Sequence, residues 1–223
     1  MFERESWIIG DKLDLIKNKT VLIIGLGGVG GFALESLVRA GISNVIIVDN
    51  DTIDITNLNR QIISLQNNIG LKKVTEWEKR VKLINPDINV ITYDIFLDES
   101  NIDELFNNKI DYVIDACDTL NTKKAIIRKC IKNNIKFITS MGTGNKLDPT
   151  KIVIEDIRKT SYDPIAKIIR KMIRDEHIKD KVMVVSSTEK PLIKGRVGSI
   201  SYVPSVAGLY ITSYIINDIL KEG

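Results

Sequence analysis

The chain alternates short apolar runs with longer amphipathic ones. Val21–Ile24 is an unbroken apolar run. A glycine-rich loop follows, then a segment of helical spacing that ends near Ala40 at Gly41, a residue suited to the position after a helix. Val45–Val48 is a second apolar run. Leu71–Ile84 carries Val74, Trp77, Val81 and Ile84 on one helical stripe, and Asn85, Pro86 and Asp87 break it. Val90–Phe96, Tyr112–Ala116 and Phe137–Met141 read as further strands, with helices near Ile102–Phe106 and Lys123–Ile131 between them. Strands separated by helices predict an α/β fold with a Rossmann-like, mostly parallel sheet and helices on both faces.

After Met141 the pattern changes. GTGNKLDPT has the texture of a loop. Ile152–Ile154, Val182–Ser186 and Ser199–Val203 read as strands, with one helix among them from about Pro164 to Arg174. This predicts an antiparallel extension of the same sheet, so that residues 1–223 form a single domain. A closing helix from about Ser205 to Leu220 contains VAGLYITSYII. That run is too short to span a bilayer, and Asn217 and Asp218 follow it. It reads as a buried core helix, with peripheral membrane contact as the alternative.

Composition narrows the class. A chain of 223 residues with 43% hydrophobic and 27% charged positions suits one well-buried globular domain. A formal charge of +3 permits a nucleic-acid partner without demanding one. The two cysteines, Cys117 and Cys130, form no CxxC pair, which predicts no disulfide framework and no structural zinc. Both read as inert thiols. MFERESWIIG lacks the apolar core of a signal peptide, so a cytoplasmic setting is expected. Trp7 and Trp77 read as packing residues, and the single histidine, His177, receives no role.

The chemistry gathers around the first apolar run. Gly25, Gly27, Gly28 and Gly30 form GxGGxG between a strand and a helix, where backbone N–H groups and the helix N-terminus attract phosphate. ATP, NAD and FAD users share that motif. Asp49 ends the second strand, in place for a ribose hydroxyl, and Asp51 follows in the turn. TNLNRQ then places Asn57, Asn59 and Arg60 where a nicotinamide dehydrogenase needs no cation. Arg60 supplies a planar fork and Lys73 a point charge for phosphate oxygens, although Lys72 is equally available by sequence. Asp118 lies at the carboxyl edge of the fourth strand, where a carboxylate can hold Mg²⁺ against phosphate. Asp115, within the apolar run, competes for that role. GxxxxGK[ST] is absent, which argues against a P-loop nucleotidase. Farther on, Lys167, Arg170, Lys171 and Arg174 share one face of a helix, opposite Ile165, Ile168, Ile169, Met172 and Ile173. That face is either solvated or set against a phosphate backbone or an anionic membrane.

GxGGxG, VDNDTIDITNLNRQ, IGLKK, INPDINV and IDACD, in this order, resemble the ubiquitin-activating-enzyme-like (ThiF/MoeB-type) adenylyltransferase superfamily. The resemblance implies that Gly28 and Asp49 bind nucleotide and that Asn57, Arg60 and Lys73 bind phosphate and take part in catalysis. It also implies that Asp118 meets the magnesium of Mg-ATP. Arg4 in FERESWIIG resembles an N-terminal arginine that such enzymes lend to a partner subunit's ATP, which implies a homodimer. The second half, from GTGNKLDPTKI through VVSSTEKP to SYVPSVAGLYITSYIINDIL, is similar to the tRNA threonylcarbamoyladenosine dehydratases. That likeness implies a tRNA substrate and ATP-dependent activation of a carboxylate on it, then ring closure with loss of water. The alternatives are adenylation of a sulfur carrier's C-terminal Gly-Gly, a nucleotide-binding regulatory module without turnover, and a nicotinamide dehydrogenase.

Overall fold

A computed structural model describes residues 1–222. Seven strands form one sheet: β1 (Thr20–Ile24), β2 (Asn44–Val48), β3 (Asn89–Tyr93), β4 (Tyr112–Asp115), β5 (Lys136–Ser140), β6 (Ile152–Asp156) and β7 (Met183–Ser187). Their order across the sheet is β3-β2-β1-β4-β5-β7-β6. All pairings are parallel except the edge pair β6/β7. The extension beyond β5 is therefore one more parallel strand, β7, carrying an antiparallel edge. The third strand expected there does not form. Ser199–Ser201 lead directly into a helix, because their neighbourhood is tied elsewhere: Asn59 donates to the Ser199 carbonyl (2.9 Å), and Gly198 exchanges hydrogen bonds with Asn145. Side chains and a loop, not a strand edge, satisfy that backbone.

Alternation along the central strands explains the two covered faces. Val21 and Ile23 of β1 face one core, which contains residues of α3 (Gly30–Arg39), α4 (Lys73–Ile84) and α8 (Tyr202–Ile219). Leu22 and Ile24 face the other, with α5 (Ile102–Leu105) and α6 (Leu120–Lys132). Strands buried on both faces read as continuous apolar runs, which is the pattern of a parallel sheet. A third cluster joins Ile127 and Val184 to Ile169, Met172 and Ile173 of α7 (Pro164–Asp175).

The apolar run of α8 packs on α3. The two backbones approach so closely that a Cβ at Gly208 would lie 2.4 Å from the Val29 carbonyl oxygen, and Thr212 donates to the Ala33 carbonyl at 3.1 Å. Among the described residues, no helix is long and apolar enough to cross a membrane. Two short helices, α1 (Glu3–Ile9) and α2 (Leu13–Lys17), precede the sheet. Trp77 is fully buried, but Trp7 on α1 is 72% exposed and so does not pack as expected. Among the described residues, α1 has none that is buried.

The strand order reverses between β1 and β4. In an open α/β sheet, that switch point at the carboxyl ends of the strands is where a ligand binds.

Candidate nucleotide site

At the switch point a cleft of about 400 Å³ opens, a size ordinary for a small-molecule site. Gly25, Gly27 and Gly28 form its floor, and Gly30 begins α3. A Cβ on Gly30 would lie 1.8 Å from the Gly25 carbonyl oxygen, so no side chain fits where the loop turns into the helix. Its lining includes the apolar side chains of Ile24, Val48, Ile95, Phe96 and Leu97, which suit a nucleobase. It also includes the polar side chains of Asn57, Arg60, Gln61, Lys73 and Asp118.

Each polar residue is positioned by its own local structure. Asp49 accepts the Leu26 N–H on one oxygen (2.7 Å) and the Asp51 N–H on the other (2.8 Å). Its carboxylate is fixed, with lone pairs left for hydroxyl donors. Burial pushes its pKa up, against the pull of nearby Lys73. Asp51 does more than shape the turn. It pairs with the Lys73 ammonium at 2.7 Å and holds that buried side chain at the cleft. Lys72, by contrast, is half exposed and turns to Asp94 at 2.9 Å. This separates two lysines that the sequence left equivalent.

Asn57 closes a small turn, its side-chain oxygen accepting the Asp54 N–H at 3.1 Å. Arg60 anchors only one guanidinium nitrogen, to the Thr56 carbonyl (2.8 Å) and the Asn59 side chain (3.0 Å). Its other N–H groups make no hydrogen bond among the described residues. Beside it, buried Gln61 has a side-chain oxygen without a partner. Oxygen and nitrogen of an amide exchange by a flip, so Gln61 is a polar group waiting for a ligand, a role its place in TNLNRQ alone did not reveal.

Asp115 and Asp118 have different roles. Asp115 is fully buried and pairs with buried Lys123 at 3.1 Å, while Thr139 and the Cys117 thiol also donate to it. This pair anchors the turn that presents Asp118. Burial pushes the Cys117 and Cys130 thiols far up, so neither is a thiolate nucleophile at neutral pH. Asp118 is exposed on the cleft and makes no hydrogen bond among the described residues. A single free carboxylate opposite a triphosphate fits the way proteins hold Mg²⁺, with substrate oxygens completing the shell. Lys123 was missed by motif reading, although its spacing with Ile127 and Cys130 placed it on the buried stripe of α6.

A second, larger cleft of about 980 Å³ shares Arg60, Cys117, Asp118, Thr143 and Ser199 with the first. It continues past the loop after β5 to the N-terminus of α7. The remaining sequence candidates lie outside both clefts. Lys167 and Lys171 are exposed on α7, and among the described residues Arg174 forms an ion pair only with Asp175, at 3.7 Å. Arg170 is committed to Thr160, donating to its carbonyl at 2.9 Å and to its hydroxyl. Ile168 is 41% exposed and so does not join the buried face of that helix. Arg4 is exposed on α1 and lines neither cleft of its own chain.

Comparison with known proteins agrees with this geometry. The chain is 40% identical to a tRNA threonylcarbamoyladenosine dehydratase of Bacillus subtilis, over 99% of this chain and 95% of that protein. The crystal structure of the E. coli tRNA N6-threonylcarbamoyladenosine dehydratase TcdA in complex with ATP superposes with a TM-score of 0.94 at 32% identity, covering 99% of this chain and 94% of that one. Similarity to the adenylyltransferase and sulfurtransferase UBA4 of Vanderwaltozyma polyspora is 40% but spans only 59% of this chain and 30% of that protein. The profile of the ThiF family matches from residue 5 to residue 221, which leaves no strand of the sheet outside it, and the chain belongs to the ThiF family.

Proposed function

We propose that this protein uses ATP to adenylate the carboxylate of threonylcarbamoyladenosine in tRNA and so drives its cyclisation. The observation that carries the reading is the continuity of the two clefts through Arg60 and Asp118. One cleft suits a nucleotide, and the other adjoins its phosphate end with room for a bulky acceptor. The full-length likeness to dehydratases supports this acceptor over a carrier protein's tail, since the likeness to UBA4 stops well short of the chain's length.

The glycine loop and the N-terminus of α3 receive the phosphates, and Asp49 takes the ribose hydroxyls. Arg60 and Lys73 hold the triphosphate and stabilise charge as it moves to the leaving group. Asp118 would hold Mg²⁺, which when bound neutralises phosphate charge. A carboxylate oxygen of the acceptor attacks the α-phosphorus, and the bond from that phosphorus to the pyrophosphate breaks. A nearby nitrogen of the same acceptor then attacks the activated carbonyl. AMP leaves with the carboxylate oxygen, and the nitrogen gives up its proton. The elements of one water are thus lost to the nucleoside without any protein nucleophile, and the protonated state of Cys117 is compatible with that route. The test is mass spectrometry of nucleosides from tRNA incubated with the protein and ATP. The modified adenosine should lose the mass of one water, with AMP and pyrophosphate released in step. Unchanged tRNA alongside an adenylated Gly-Gly carrier would replace this reading with the sulfur-carrier one.

The protein acts as a homodimer in which Arg4 serves the partner's ATP. Arg4 sits on a helix that exposes Trp7 (72%) and Ile8 (87%), apolar surface that a second copy would cover. Mixing Arg4→Ala with Arg60→Ala protein should restore part of the activity that each lacks. No recovery from mixed dimers would remove Arg4 from the site. The basic face of α7, with Lys167, Arg170, Lys171 and Arg174, meets tRNA phosphates. A reducing cytoplasm is the setting such a substrate requires.

A further inference from the structure

The second cleft contains a buried cation that the ATP chemistry does not use. Lys146 lines that cleft and is only 6% exposed. Its ammonium donates to one acceptor, the Glu189 carbonyl. No carboxylate lies within ion-pair distance among the described residues. The two nearest candidates are committed elsewhere. The Glu189 carboxylate accepts the Leu147 and Asp148 N–H groups, both at distances near 3.0 Å. Asp163 accepts Gly142 N–H with one oxygen (2.8 Å) and Ala166 N–H with the other (2.7 Å). Burial accordingly pushes the Lys146 pKa down, with Glu189 and Asp163 offsetting part of that.

An ammonium has three donors, and a buried one without a counter-ion is costly to keep. Every other buried lysine here is paired: Lys73 with Asp51 and Lys123 with Asp115. Lys146, without such a pair, lines a cleft that Arg60 and Asp118 also line. The mouth of the same cleft carries Tyr162, 52% exposed, with the Lys190 ammonium 5.3 Å from its ring centre. An aromatic ring with a cation beside it suits a nucleobase and its phosphate.

We infer that Lys146 is the acceptor-binding residue of the second cleft, whose missing partner is the carboxylate of the modified nucleoside. This rests on the function proposed above and names the group that selects the substrate. Lys146 holds one carboxylate oxygen and leaves the other turned toward the α-phosphate, so it acts by positioning. The nearest competing source of anionic oxygen is the RNA backbone, and the two are separable because only one depends on the modification.

The experiment measures binding and turnover with tRNA carrying threonylcarbamoyladenosine and with the same tRNA carrying plain adenosine, for wild type, Lys146→Met and Lys146→Arg. Methionine keeps the apolar stem, and ATP affinity reports whether each variant is folded. Wild type should bind the modified tRNA at least about tenfold more tightly than the plain one, the size of one charge-assisted hydrogen bond. Lys146→Met should lose that preference, raise KM for the modified tRNA and leave plain tRNA binding as it was. Lys146→Arg should recover part of the preference. If Lys146→Met weakens both tRNAs equally, the partner is a phosphate and the inference fails. If it keeps full preference, the inference fails as well. Absence of the water loss with wild type overturns the function and the inference together, whereas water loss with an undiminished Lys146→Met variant overturns the inference alone.

Discussion

The two clefts are built by opposite means. The nucleotide cleft is framed by backbone packed against backbone and by carboxylates whose oxygens are already fixed, such as Asp49 between two N–H donors. The acceptor cleft is framed by loops tied through side chains. Asn145 alone holds Arg196 (2.8 Å), Ile193 (3.3 Å) and Gly198 (2.6 Å), while Leu192, Ile193 and Val197 around it remain half or more exposed. Such a difference suits the proposed ligands: a triphosphate needs preorganised donors, whereas an RNA acceptor would need walls that adjust as it docks.

Glycine substitution sets the two clefts against each other most sharply. Gly30→Ala should cost more than about 3 kcal/mol or abolish folding, because its Cβ meets a backbone oxygen that cannot move. Gly144→Ala, whose Cβ meets a methyl of 88% exposed Val197 at 2.6 Å and the Gly198 carbonyl oxygen only at 3.3 Å, should cost less, a shift of a few degrees in melting temperature. Equal losses in thermal melts would erase the distinction. Arg60→Ala comes next. It removes a charge shared by both clefts, and turnover should fall roughly 10²–10³-fold with a smaller loss of ATP affinity. Single-turnover kinetics beside calorimetry would show this, and unchanged turnover in folded protein would take Arg60 out of the mechanism.

Glu35 probes the rigidity of the first region from behind. It is a buried residue of α3, held between Arg80 of α4 (2.7 Å) and Arg39 one turn on (2.8 Å). Burial alone would raise its pKa, but the two arginines hold it below the usual 4.5. A depressed carboxylate stabilises the fold above its unfolded pKa and loses that contribution as pH falls through the folded value. Glu35→Gln should therefore cost about 1–3 kcal/mol at pH 7. The gap from wild type should close as pH drops below the ordinary 4.5. A gap that persists in acid melts would deny the charged pairing. The smallest effect belongs to the outer face of α7. Neutralising Lys167, Arg170, Lys171 and Arg174 should spare ATP binding and flatten the salt dependence of tRNA binding by about one unit of slope per lost phosphate contact. The response of Arg170 should be least, since Thr160 already holds it. An unchanged slope would return that face to solvent.

The same contrast decided what the sequence could reveal. Strands β1, β2 and β4 were legible as apolar runs, and the gathering of Asp49, Arg60, Lys73 and Asp118 at one cleft was legible from their spacings around a glycine loop. That Lys73 and not Lys72 lines the cleft was expected only by resemblance, and its physical cause is the ion pair with Asp51. The acceptor side is assembled from segments far apart in the chain, such as Lys146 and Glu189, and no local period records such a meeting. Ser199–Val203 failed as a strand for that reason: its β-branched and aromatic residues favour a strand, but Asn59 and Asn145 set its backbone from a distance.

The contact of α8 with α3 has a consequence for the order in which the site comes into being. A Cβ on Gly28 would touch Pro204 at 3.2 Å, and α8 lies against the first turn of α3 through Gly208. The glycine loop lies before α3 (Gly30–Arg39), yet the helix that braces it, α8 (Tyr202–Ile219), follows all seven strands in the chain. On the ribosome the β1–α3 unit must wait with part of its apolar side uncovered until α8 has emerged. A ligand bound at the glycine loop would then favour molecules in which α8 has docked, by mass action.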